Sequence, residues 1–129
     1  MDSPSQEIDN GTIRKFATGA TRDTATDKLD YEGFLSPRVL EAFAEYMHTH
    51  RKQSDGSLRA SDNWQKGIPI TEYMKSLWRH FFDLWKSHRG LATPDSKKNI
   101  LCAIMFNVMG YLHEHLKESA NGKETTANP

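Results

Sequence analysis

The segment that most restricts the fold is ILCAIMFNVMGYL, residues 100–112, in which Asn107 is the only polar side chain. At about 100° per residue, its apolar side chains encircle a helix instead of forming a stripe. Such a helix must be covered from several directions, by neighbouring helices or by a second subunit. Thr93-Pro94-Asp95 supplies a cap, a proline and a first-turn acid ahead of it, so the helix is expected from there to about Lys117.

Two other helices have comparable start and stop signals. Ser36-Pro37 opens one that runs to about Lys52, with Val39, Leu40, Phe43, Ala44 and Met47 on its apolar side. Another runs from about Ile70 to Arg89 and stops at Gly90. Its Tyr73, Met74, Leu77, Trp78, Phe81, Phe82, Leu84 and Trp85 cover about half the circumference, which marks it as the central helix. No alternating strand pattern persists and no repeat occurs. The expected fold is therefore all-α, a small bundle of three main helices with long irregular segments at 13–35 and 53–69. Long loops in compact domains are more often functional than idle.

The polar stretches 1–12 and 118–129 lack large apolar groups and are expected to be disordered tails, leaving 13–117 as one domain. A domain of that size hides only about 60–65% of its unfolded surface, so a homo-oligomer is expected. The 17 basic and 17 acidic side chains cancel, which gives no electrostatic footprint for duplex nucleic acid. The lone Cys102 permits neither an internal disulfide nor a cysteine zinc cluster. No basic-apolar leader and no membrane-length apolar run is found, so a cytoplasmic protein is expected.

Several polar side chains carry possible chemistry. Glu41 and Glu45 lie one helical turn apart, with His48 on the same stripe. Two such carboxylates suit magnesium, a hard ion that keeps several waters, yet the same spacing describes a solvated helix face. His80 and Asp83 are also one turn apart, and Arg79 beside them has the fork geometry for a phosphate. A histidine at the edge of an apolar arc is more often a structural hydrogen-bonding group than a ligand. Asn107 must satisfy its buried amide, on another helix or on a base edge. Lys28, Asn63, Trp64 and Lys66 offer cation, amide and indole types that suit phosphates, base edges and stacking, although Trp64 could simply plug the bundle. Phosphate-loop, dinucleotide, serine-hydrolase and HExxH signatures are absent.

The ordered series RDTATDKLDYEGFLSP, AEYMHTHR, SDNWQKGIP, SLWRHFFDLW and FNVMGYL resembles a phage-encoded family, the N-terminal domain type of dATP/dGTP diphosphohydrolases. That family is in turn similar to the all-α MazG-like nucleoside triphosphate pyrophosphohydrolases. The resemblance implies hydrolysis of a purine deoxynucleoside triphosphate to the monophosphate and pyrophosphate, assisted by Mg²⁺ or Mn²⁺. It makes Glu41, Glu45 and Asp83 the metal-binding and catalytic acids. Lys28, Lys66 and Arg79 then face phosphates, and Trp64 and Asn107 face the base or sugar, with Asn63 and His80 completing the substrate site. The superfamily's first-helix EExxE is reduced here to Glu41 and Glu45, and its later ExxD is missing. The reading from another functional class is therefore a non-catalytic nucleotide-binding or protein-interaction module.

Overall fold

The computed structural model describes residues 7–9, 13–23 and 27–121. The expected tails at 1–6, 10–12 and 122–129 lie outside them. The chain forms two compact units that divide between Ser36 and Pro37.

The first unit departs from the all-α expectation. Strands β1 (Glu7–Asp9), β2 (Ile13–Phe16) and β3 (Thr21–Asp23) form an antiparallel sheet in the order β1-β2-β3, with Glu7 opposite Phe16 and Ile13 opposite Asp23. The strand at Glu7–Asp9 also corrects the expectation of an unstructured segment there. Strands of three or four residues are too short to show a period of two. Moreover, the half-buried positions of β2 are Arg14 and Phe16, with the guanidinium carbon 5.5 Å from the ring centre, while Ile13 faces outward. Neither β2 nor β3 has an apolar stripe to betray the sheet. A four-residue helix, α1 (Tyr31–Phe34), follows, capped by Asp30, whose carboxylate accepts from the Gly33 amide at 2.9 Å.

The second unit contains α2 (Pro37–Thr49), α3 (Ile70–His88) and α4 (Lys97–Ala120). The first and last start or stop a few residues from their expected bounds. Helix α4 begins after Ser96, whose hydroxyl accepts from the Asn99 amide, whereas Thr93 donates to the Asp95 carbonyl within the preceding turn. Gly90 ends α3 as the sequence requires. At φ 79° its amide meets the Ser87 carbonyl and the Leu91 amide meets the Lys86 carbonyl, a Schellman closure.

Helix α4, not α3, is the centre of the unit. Of the buried side chains Tyr73, Ile100, Cys102, Ala103 and Asn107, all but Tyr73 belong to it. Helices α2 and α3 each pack on α4 and not on one another. The tightest approach is at Gly110, where an added Cβ would overlap the ring and hydroxyl of Tyr73. Tyr73 also meets Phe106 edge-on, with centroids 5.8 Å apart. The stretch 53–69 is less irregular than its composition indicates. Lys52 and Leu58 form an antiparallel bridge, the Arg59 amide donates to the Arg51 carbonyl, and Asn63–Lys66 wind into a short 3₁₀ turn. No helix among the described residues is long and apolar enough to cross a membrane.

Gly110→Ala tests the α3–α4 contact. In an open helix this change would stabilise by about 1 kcal/mol. Here overpacking by roughly 1–3 kcal/mol outweighs that gain, so the denaturation midpoint is expected to fall.

Candidate functional site

Helices α2 and α3 both sit on α4 without a close backbone approach to each other, and a gap opens between them, floored by α4 and closed at one end by the 50–64 segment. It is a cavity of about 660 Å³, within the usual range of roughly 300–1,000 Å³ for small-molecule sites. Its apolar wall includes Met47, Ile68, Trp64 and Phe106, and its polar wall includes His48, His50, Arg51, Arg59 and His80. Among the described residues, no carboxylate lines it. In a chain of zero net charge, this leaves a local cationic hollow suited to a polyanion with an aromatic end.

The polar wall is held by the backbone. Arg51 Nε donates to the Arg59 carbonyl at 2.8 Å, and an Arg59 terminal nitrogen donates to the His50 carbonyl at 3.0 Å. Each guanidinium thus spends one N–H on fixing its position and retains others for a ligand. His50 Nδ1 lies 2.8 Å from the Tyr46 carbonyl, and the two rings stack at 4.0 Å. A carbonyl can only accept, so a proton on Nδ1 satisfies this contact, with the Thr49 hydroxyl 3.1 Å from the same nitrogen, and Nε2 takes no part in it. Burial, followed by the charges of Asp95 and Cys102, raises the Tyr46 phenol above its ordinary range, so this hydroxyl acts as a hydrogen-bonding group and not as a base.

The floor presents an acceptor. Asn107 is only 5% exposed and donates Nδ2 to the Ala103 carbonyl at 2.8 Å. One of its two amide N–H groups is therefore occupied within α4, and Oδ1 is the amide's acceptor for a cavity ligand. Trp64 lies half-buried on α4, edge-on to Phe106 at 6.1 Å and to His113 at 4.8 Å. It thus packs on the bundle, as a plug would, and its ring also forms part of the cavity wall.

The other expected site residues distribute unevenly. Asn63, Trp64, His80 and Asn107 line the cavity together. Lys66 and Arg79 are exposed and outside its lining, although Arg79 donates to Ser76, which is part of it. Lys28 is exposed in the first unit. The acids do not gather. Glu41 and Glu45 are exposed on α2, Glu45 has Lys98 at 4.0 Å, and Asp83 lies on α3, which does not pack against α2. Among the described residues no three His, Cys, Asp or Glu side chains are grouped to hold a metal ion. The trio Glu41, Glu45 and Asp83 thus does not fit a resident ion. Tyr46, His50, Arg51 and Arg59 were not singled out from sequence as site residues. The local signal was the cation-rich helix end HTHR, whose significance depends on a fold-back that periodicity does not reveal.

The family profile described as dATP/dGTP diphosphohydrolase, N-terminal, matches residues 18–125. The chain belongs to this family. The family's name is that of a hydrolase acting on purine deoxynucleoside triphosphates, and the match spans most of the chain, including every cavity-lining residue. No curated protein and no solved structure matches the chain.

Trp64→Ala in this diphosphohydrolase-family domain removes two aromatic contacts, each worth about 0.5–1.5 kcal/mol beyond burial. Thermal unfolding should shift down, and Trp64→Phe should restore part of the loss.

Proposed function

We propose that the cavity binds a purine deoxynucleoside triphosphate and that the protein hydrolyses it to the monophosphate and pyrophosphate. The observation that carries this reading is the carboxylate-free lining, in which Arg51, Arg59 and three histidines accompany Trp64 and Phe106. Arginines neutralise and orient phosphate oxygens, and an indole supplies a stacking surface for a base. Asn107 Oδ1 accepts from an N–H on the base edge, a donor that adenine and guanine both possess.

Hydrolysis requires water to add at a phosphorus while the bridging oxygen departs with pyrophosphate. His50 Nε2 takes the proton from that water, since this ring lines the cavity and its other nitrogen is fixed on the Tyr46 carbonyl. Developing charge on the phosphate oxygens is met by Arg51 and Arg59. Divalent ion dependence is proposed only through Mg²⁺ or Mn²⁺ arriving on the triphosphate, because Glu41, Glu45 and Asp83 do not assemble a resident site. The absence of carboxylates from the lining also favours a second reading, a nucleotide-binding module without turnover.

The test is pyrophosphate release from each deoxynucleoside triphosphate with magnesium, manganese or chelator present, paired with equilibrium binding. Release from dATP or dGTP is expected to fall at least tenfold in His50→Ala with binding retained, whereas Arg59→Ala should weaken binding itself. Glu45→Ala should leave both nearly unchanged. Binding without release would establish the module reading, and no binding of any purine nucleotide would contradict both.

A further inference from the structure

The side of the α3–α4 pair away from the cavity is bare. On α3, Met74, Trp78, Phe81 and Trp85 recur at intervals of four, three and four residues and are all exposed, Trp78 by 68% and Phe81 by 56%. On α4, exposed Leu101, Val108 and Leu112 continue the same surface, Val108 by 50%. A shallow groove between the two ridges is lined by Met74, Leu77, Trp78, Phe81 and Ile104 and by no polar residue. None of these side chains belongs to the nucleotide cavity. At roughly half exposure each, the seven ridge residues present on the order of 800 Å², the area that each partner contributes to a stable standard-sized interface.

The fully buried apolar set of this unit is Tyr73, Ile100, Cys102 and Ala103, a small core for a stretch of three helices. Helix α4 is apolar nearly all round, yet α2, α3 and the 3₁₀ turn cover only part of it. The missing cover therefore has a defined place, along one α3–α4 face, and a defined chemistry, aliphatic and aromatic. Two ridges flanking a groove are self-complementary about a twofold axis, since the ridge of one pair can enter the groove of an identical pair. The edge of the face is polar, with Lys86 and Arg89 over the rings of Phe82 and Trp85, as the rim of an interface is.

We infer that this face is the contact between two copies of the chain, pairing two α3–α4 hairpins as a four-helix layer with the nucleotide cavities on the outer sides. The second copy supplies the cover that α4 lacks. Residues at the seam fill the role of core, so charge placed there separates the copies without removing any fully buried side chain.

Sedimentation equilibrium of the full chain tests this over a range of concentrations. The unaltered protein should approach twice the chain mass. Trp78→Lys and Val108→Glu should each weaken association at least tenfold, with far-UV circular dichroism still helical. Dilution of the unaltered protein through the transition should also red-shift tryptophan emission, because Trp78 and Trp85 become wetted, a readout independent of either variant's folding. A single chain mass at every concentration, as expected if residues 1–36 or a different protein cover the face, would overturn the inference. So would association undiminished in both variants, or an emission maximum that ignores dilution.

Discussion

The approach of α3 to α4 at Tyr73 and Gly110 sets the rest of the second unit. With no side chain at 110, the phenol ring of Tyr73 lies against the α4 backbone and is only 2% exposed. This contact has a polar cost. The Tyr73 hydroxyl is buried without a hydrogen-bond partner among the described residues, while the buried Glu114 Oε2 is met by the Lys117 ammonium at 3.2 Å. Burial first, and then the charge of Glu114, pushes the Tyr73 phenol above its ordinary range. The neutral phenol is thus the form that the fold accommodates, and its contribution to stability persists below the unfolded tyrosine pKa and is lost as pH rises through the raised value. Close packing at this crossing offsets the stranded hydroxyl.

From that crossing the two sides of the α3–α4 pair diverge in chemistry. One side receives α2 and the turn at Asn63–Lys66, which meet α4 but leave a hollow over Phe106 and Asn107. The other is apolar, with Trp78, Phe81 and Trp85 exposed. The hollow is polar for a local reason. The chain folds back after α2, so Arg51 and Arg59 are brought together by hydrogen bonds to backbone carbonyls, and the zero net charge of the whole chain conceals their concentration. The match to the dATP/dGTP diphosphohydrolase N-terminal family spans every residue of this hollow.

The helices were legible because their boundaries are written in local residues. Pro37 and Gly90 act within a turn of where they stand, and the apolar run 100–112 had to become a helix with several neighbours. The order of burial was less legible. Aromatic density marked α3 as central, yet Trp78, Phe81 and Trp85 face outward, because amphipathic width reports apolar surface and not which part of it the same chain covers. The sheet of β1, β2 and β3 escaped because its strands are short and lack an apolar face. Within the site, Asn63, Trp64, His80 and Asn107 were found by residue type, whereas Arg51 and Arg59 required the bridge between Lys52 and Leu58 to meet. The acids Glu41, Glu45 and Asp83 had plausible spacing along their helices, but convergence depends on a contact between α2 and α3 that the structure does not make.

The claim on which the functional account depends is that the hollow over α4 is the nucleotide site. Amide hydrogen exchange of the full chain with and without a non-hydrolysable dGTP analogue measures this directly. Slower exchange should concentrate at 46–51, 59–64, 76–80 and 103–107, the segments that wall the cavity. Protection confined to other segments, or none at saturating analogue, would contradict it.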